Sequence, residues 1–396
     1  MRELDVVLFG ATGFTGKLVA DYLQRAGQGV RWAVAGRSKE KLEALGLGVP
    51  VIVADALDAR AMADVARRAA VVCTTAGPYA KLGSELVAAC AANGTHYCDL
   101  AGEVQWMRRM IDAHHERAKA SGARIVHTCG FDSIPSDLGT WALQQEMLAA
   151  FGVPARSVTA YFGPVRGAAS GGTVASGIET AQEAAADRTV RRVLANPYAL
   201  DPDPDAPRPR VHDERAIGWD PALRVFTFPF LMAGINTRVV RRAHALAGFP
   251  WGDDFVYREV MSAPATARGL ATAAAITGGL AGMAFALKHP RLRAAFARRA
   301  PKPGEGPSAT ARERGRWRVR LVGEAGHHRL VYVAGDAHGD PGYASTAKML
   351  GEAALCLALD PLTSPAGVTT PSVAMGRALV DRLRRAGLTW EVDRGA

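Results

Sequence analysis

Apolar β-branched runs alternate with segments of helical period along the first 130 residues. The runs fall at Asp5–Gly10, Arg31–Ala35, Val49–Ala54, Ala70–Thr75, Thr95–Leu100 and Ala123–Thr128. The helical segments between them are Gly16–Ala26, Lys39–Leu45, Ala59–Arg68, Ser84–Asn93 and Glu103–Ser121. Continuous apolar strands separated by helices predict an α/β architecture with a parallel sheet covered on both faces. Six strands in this rhythm predict a doubly wound nucleotide-binding domain over residues 1–140.

After Gly130 the rhythm changes. Ser157–Phe162 reads as a strand, and a Gly/Ser-rich turn at Gly167–Gly172 opens a helix. Between Pro197 and Pro221, six of the chain's 22 prolines sit among charges, the pattern of a surface loop. Arg316–Gly323 and His328–Ala334 flank a glycine-containing turn and predict paired antiparallel strands. Residues 141–340 are therefore expected to form a second, mixed α+β domain. Helices at Ala344–Leu359 and Pro371–Ala386, within 341–396, are expected to pack back on the first. Gly269–Leu287 is nineteen residues without a charge, with Ile276, Leu280, Met283 and Leu287 at helical spacing. Its Ala, Gly and Thr content argues against a membrane span. The expectation is a buried helix or one wall of an apolar substrate tunnel, with shallow membrane contact as the alternative.

Composition adds limits. At 396 residues, 48% hydrophobic and 22% charged, the chain is long enough for two domains and is neither disordered nor fibrous. Forty-eight Lys and Arg against 38 Asp and Glu give +10, yet Lys288–Arg320 alone holds eleven basic residues and two Glu, a net of +9. No zinc-finger, KH or RRM signature accompanies this run, so nucleic acid is not an expected partner. A solvated face, an anionic membrane surface and an acidic partner that delivers substrate remain open. The five cysteines are scattered without a CxxC, and Met1–Asp5 leads into an apolar strand without a signal-peptide pattern. Reduced thiols and a cytoplasmic location, with or without peripheral membrane contact, are expected.

The strongest chemical signal is Gly10-Ala11-Thr12-Gly13-Phe14-Thr15-Gly16, placed between the first strand and the first helix. In that context Gly10 permits the tight turn, Gly13 lets backbone approach a pyrophosphate, and Gly16 permits close helix–sheet packing. The helix N-terminus then faces the anion. The second strand ends in Ala35-Gly36-Arg37-Ser38, without the carboxylate that would bind a ribose 2′-hydroxyl. Arg37 and Ser38 instead suit a 2′-phosphate, which predicts NADP(H). Asp55, past the third strand, suits either the adenine amino group or the cap of the next helix. After the fourth strand, the backbone of Ala76, Gly77 and Pro78 is expected near the nicotinamide ribose, with Tyr79 pointing to the nicotinamide.

These residues carry a family resemblance. The stretches GATGFTG (10–16), AGRS (35–38), TTAGPYAKLG (74–83), HYCDLAGE (96–103), CGFDSIPSDLG (129–139), ASGGT (169–173), PGEGPS (303–308) and DPGYASTAKML (340–350) resemble the saccharopine-dehydrogenase-like oxidoreductases, within them the trans-acting enoyl reductases. The resemblance runs almost from end to end. It implies a Rossmann-type domain followed by a mixed α/β substrate domain. It also implies reduction of a carbon–carbon double bond in a lipid or polyketide intermediate, in trans to a synthase or an acyl-carrier protein.

For an enoyl thioester, hydride adds to the β-carbon, and the protein must stabilise an enolate and supply a proton. Tyr79 is a candidate donor, or else packs against the nicotinamide. Ser133 and the backbone of Gly130 and Phe131 are candidates for holding the carboxamide or the oxyanion. Asp132 and Asp137 are either catalytic or caps of the following helix. The Tyr-x-x-x-Lys spacing of short-chain dehydrogenases is absent, and the adjacent histidine pairs 114–115 and 327–328 do not suggest a metal site. The expected activity is NADPH-dependent reduction of an activated double bond on an apolar or carrier-bound substrate. The alternatives are an NADPH-dependent imine or ketone reductase, and an NADP-binding lipid-surface protein without turnover.

Overall fold

All six strands expected in the first 130 residues form, within two residues of their expected ends. The structure, a computed structural model, describes residues 2–163, 171–299 and 306–395. In chain order the strands are β1 (Leu4–Phe9), β2 (Trp32–Gly36), β3 (Val51–Val53), β4 (Ala69–Thr74), β5 (His96–Cys98), β6 (Arg124–Val126), β7 (Ser157–Phe162), β8 (Gly218–Asp220), β9 (Val225–Phe228), β10 (Val256–Pro264), β11 (Trp317–Ala325), β12 (His328–Asp336), β13 (Gly367–Thr369) and β14 (Thr389–Val392).

One seven-stranded sheet runs β13-β6-β5-β4-β1-β2-β3, with all its pairings parallel. Its strands are buried on both faces, because alternate residues of one strand point to opposite sides. Val6 and Leu8 pack with Leu23 and Leu350 on one side, and Val7 and Phe9 with Leu86 and Trp106 on the other. This is the predicted Rossmann-type layer, extended by β13, a three-residue strand too short to show a period.

The second sheet runs β14-β12-β11-β7-β10-β9-β8 and is mixed: β10 pairs parallel with β7, and the remaining pairs are antiparallel. The expected hairpin is β11–β12. The helix Ile134–Phe151 follows β6 in the chain and packs on β11 and β12, so it carries the chain from the first sheet to the second. The C-terminal helix Thr346–Leu359 returns to lie on the helix Phe14–Ala26 and on β1, β4 and β5, as expected. Gly351 permits that approach, since a Cβ there would sit 2.4 Å from the Tyr22 ring. Tyr22 donates to Glu352 (2.6 Å), and Arg382 joins Glu352 (3.1 Å) to Asp360 (2.6 Å).

The uncharged segment forms the helix Ala267–Lys288, and here the expectation of a buried helix is corrected. Only Gly269 and Ala273 are buried; Leu270 is 44% and Phe285 59% exposed. Ile276, Leu280, Met283 and Leu287 are half-buried. The helix is anchored at its N-terminal end, where the Thr266 hydroxyl accepts the Gly269 N–H (3.1 Å) and Ala273 packs with Phe228 and Ala263. Its small side chains cannot build a second core face. The basic run divides among a helix Pro290–Arg299, a short helix Ala309–Glu313 and β11. Residues 167–170 of the expected glycine-rich turn, with them the first two residues of ASGGT, and the first three of PGEGPS lie outside the described residues, while Gly171 and Gly172 open the helix Gly171–Ala186.

Candidate active site

The carboxyl ends of β1, β4, β5 and β6 converge on one edge of the parallel sheet, at the point where strand order reverses between β1 and β4. Gly10 closes the turn after β1 with φ +87° and donates to the Ala35 carbonyl at 2.9 Å. A Cβ on Gly16 would lie 2.2 Å from the Gly10 carbonyl oxygen, so only glycine lets the helix start this close to the loop. A Cβ on Gly13 would meet nothing nearer than that same oxygen at 3.4 Å, which leaves the loop's outer side open. No side chain caps the helix Phe14–Ala26. Thr12 and Thr15 lie on this loop and first turn, and both are half-buried.

Arg37 is exposed at the end of β2, without an ion-pair partner among the described residues. The Ser38 hydroxyl accepts the Lys41 N–H (3.3 Å) and caps the next short helix, leaving its own proton to donate. Asp55 accepts the Leu57 N–H (3.0 Å) and closes a turn. The helix-capping role considered for Asp55 belongs to Asp58, which accepts from Arg60 and Ala61.

The loop after β4 is bound to the phosphate-type turn: Thr75 donates to the Gly10 carbonyl (3.1 Å), and Ala76 donates to the Thr74 hydroxyl (3.2 Å). Gly77–Pro78 is a cis peptide. Tyr79 departs from expectation. It is buried, donates to the Thr74 carbonyl (3.2 Å) and accepts the Leu100 N–H (3.1 Å), tying the ends of β4 and β5 together. Burial, with Asp99 and Glu103 nearby, pushes its phenol well above the ordinary range, so it keeps its proton. The buried carboxylate of Glu103 accepts the N–H groups of Tyr79 (3.2 Å) and Ala80 (2.9 Å), capping the short helix that Tyr79 begins. Burial also raises the Glu103 pKa.

Asp99 organises the loops after β5 and β6. One carboxylate oxygen accepts from Ala101 (2.9 Å) and Thr128 (3.0 Å), the other from Tyr97 (2.9 Å) and His127 Nδ1 (2.7 Å). Beyond Thr128, Gly130 fits tightly against Leu100 and Thr346. Phe131 donates its N–H to the Thr346 hydroxyl (3.1 Å) and sets its ring edge-on to Phe162 (6.0 Å) and Trp317 (5.0 Å). Phe230 stacks on Phe162 at 3.9 Å. The loop thus ends on an aromatic floor supplied by the second sheet.

Ser133 is not presented to this edge. It is buried and donates to Asn236 (3.0 Å), which donates to Glu259 (3.0 Å), which also accepts from Tyr257 (2.6 Å). Burial pushes the Glu259 pKa up to about 7. Asp137 accepts the N–H and hydroxyl of Ser372, both at 2.7 Å, so it serves the helix Pro371–Arg385 rather than its own. Burial pushes its pKa up to about 6. Asp132, half-buried between Phe131 and Ser133, is pushed up to about 7 by burial and by Asp99.

The second half of the chain closes around Phe14, a contact that no local pattern in the sequence marks. Tyr343 meets its ring edge-on at 4.8 Å, the Arg312 guanidinium lies 5.3 Å above it, and Gly306 leaves no room for a Cβ beside it. Asp340 holds Tyr343 by capping its helix, accepting the N–H groups of Tyr343 (3.1 Å) and Ala344 (3.0 Å).

Residues 6–126 match the family model of the saccharopine dehydrogenase NADP binding domain. A Mycobacterium tuberculosis protein that carries the trans-acting enoyl reductase name is 44% identical over 415 residues, covering 99% of this chain and 98% of the relative. A trans-acting enoyl reductase of Mycobacterium ulcerans is 40% identical over 418 residues, with 99% and 98% covered. Among solved structures, saccharopine dehydrogenase (L-Glu forming) of Saccharomyces cerevisiae superposes with a TM-score of 0.52 at 14% identity, over 98% of this chain and 99% of that one. That likeness shows a shared two-sheet fold.

Proposed function

Since the chain belongs to the trans-acting enoyl reductase family, we propose that it uses NADPH to reduce an activated double bond of an apolar acyl intermediate presented by a synthase or acyl carrier. The observation that carries this reading is the loop after β6, which shares its sheet edge with the glycine-rich turn after β1 and whose Phe131 abuts Phe162 and Trp317 of the second sheet.

The residues present fit NADP(H). The open side of Gly13 and the uncapped helix suit a pyrophosphate, and the exposed Arg37 guanidinium, with Ser38, suits a 2′-phosphate. The backbone of Ala76, Gly77 and Pro78 at the β4 end, and of Gly130 and Phe131 at the β6 end, would flank the nicotinamide half. Bound there, NADPH supplies the hydride. Tyr79 fixes the two strand ends and holds its proton. Asp132 follows Phe131 at the same edge, and burial and Asp99 raise its pKa, so it is the candidate to hand a proton to an enolate.

The imine-reductase alternative would need cations for substrate carboxylates. The arginines of the helix Ala233–Leu246 do not serve: Arg241 donates to the Pro197 and Tyr257 carbonyls, Arg242 to those of Leu200 and Val368, and Arg238 pairs with Asp213.

Deuteride transfer from labelled NADPH to a panel of enoyl thioesters, ketones and cyclic imines, read by mass spectrometry, tests the reading. Label at the β-carbon of a thioester is expected. Label only at a carbonyl or imine carbon would transfer the enzyme to the other class.

A further inference from the structure

We propose that the helix Ala267–Lys288, together with the basic helix Pro290–Arg299, docks the protein on an anionic membrane surface. This inference concerns a face outside the candidate active site and does not depend on the reaction assigned there.

The helix is 22 residues long, about 33 Å at 1.5 Å per residue. Between Arg268 and Lys288 it carries no charge, and beyond Ala273 none of its side chains is buried. Leu270, Ala274, Ala275, Gly278, Ala281 and Phe285 all face outward. A helix of this length and apolarity in a water-soluble fold is ordinarily a core helix; this one is not in the core. An uncharged surface of such extent marks an interaction face.

Charge selects the occupant. Lys288, Arg291, Arg293 and Arg298 follow within eleven residues, with no acid among them, and Arg268 stands at the other end. Lys288, Arg291 and Arg298 are exposed, as is the apolar Leu292 between the arginines. An apolar rod flanked by cations matches the boundary between acyl chains and anionic headgroups. A second copy of this face would oppose cation to cation. An acidic carrier would satisfy the cations but leave the uncharged rod in water.

Topology makes the helix lie on the membrane rather than cross it. The chain enters from β10 and, after the basic helix, resumes in β11, and both strands flank β7 in one sheet. The helix Pro290–Arg299 packs against both Ala267–Lys288 and Gly171–Ala186. Both ends of the rod therefore stay on the protein's side.

The test is co-sedimentation of the full-length protein with phosphatidylcholine vesicles and with phosphatidylcholine–phosphatidylglycerol vesicles at physiological salt. We expect pelleting with the anionic vesicles, weakened by added salt. Phe285→Asp, and separately Arg291→Glu with Arg298→Glu, should each lower the partition at least tenfold. Melting temperature and NADPH titration should stay unchanged, which separates loss of docking from loss of fold. Absence of pelleting, equal pelleting with phosphatidylcholine alone, or indifference to both variants would overturn the proposal. So would a dimer in sedimentation velocity that Phe285→Asp converts to monomer, since a second copy would then cover the face.

Discussion

Asp99 Oδ1 accepts the backbone N–H of Thr128 at 3.0 Å, and Thr128 holds a left-handed φ of +62° that β-branched residues rarely adopt. The carboxylate holds that conformation in place while its other oxygen takes Tyr97 and His127. A kink at the end of β6 is thereby fixed by a residue at the end of β5, and the kink aims Gly130 and Phe131.

Asp99→Asn puts an amide donor among N–H and O–H donors, so at least one buried group loses its acceptor. The expected loss is about 2–4 kcal/mol of stability, with NADPH affinity falling alongside because the Gly130–Phe131 turn shifts. Urea unfolding with a parallel NADPH titration reads both. Unchanged stability would show that Asp99 is not the fastening point.

Arg37→Asp should reverse the cofactor preference. Removing the exposed guanidinium and adding a carboxylate costs the 2′-phosphate contact and gains a ribose hydroxyl contact. NADPH binding is expected to weaken at least tenfold against NADH, followed by cofactor fluorescence. A retained NADPH preference would remove Arg37 from the site.

Tyr79→Phe removes a hydroxyl that both donates and accepts in a buried place. A stability loss of about 1–2 kcal/mol is expected, while turnover at saturating NADPH stays within a few-fold. A loss of several hundredfold in kcat with an unchanged melting temperature would return Tyr79 to the proton-transfer step.

Glu259→Gln removes a pH-dependent cost of burying this carboxylate, so its effect on stability relative to the parent should become more favourable as pH rises. Burial pushes its folded pKa up to about 7, above the ordinary glutamate value of about 4.5, so the folded state binds the proton more tightly than the unfolded chain. The resulting penalty is absent below pH 4.5, grows as pH rises, and reaches roughly 3 kcal/mol above pH 7. The melting temperature of the variant minus that of the parent should therefore be more positive at pH 8 than at pH 5. A difference independent of pH would show that the Glu259 carboxyl does not titrate in the folded protein as proposed.

The amino-acid sequence by itself determined the parallel layer, the position of the dinucleotide loop, Arg37 in place of a carboxylate, and the family. Those features are local: a strand, a tight turn needing glycine and a helix start lie within a dozen residues, and period two or 3.6 is written in neighbouring positions. Tertiary structure decided the rest. Whether Tyr79 faces the cofactor or a strand end depends on Leu100 and Glu103, more than twenty residues away. Ser133 turned inward because Asn236 and Glu259 offered a buried chain of acceptors. The strand β13 and the contacts of Phe14 with Tyr343 and Arg312 come from the far end of the chain. The helix Ala267–Lys288 shows the limit most plainly, since apolar composition states that a face needs covering, while only packing decides whether the protein's own core covers it.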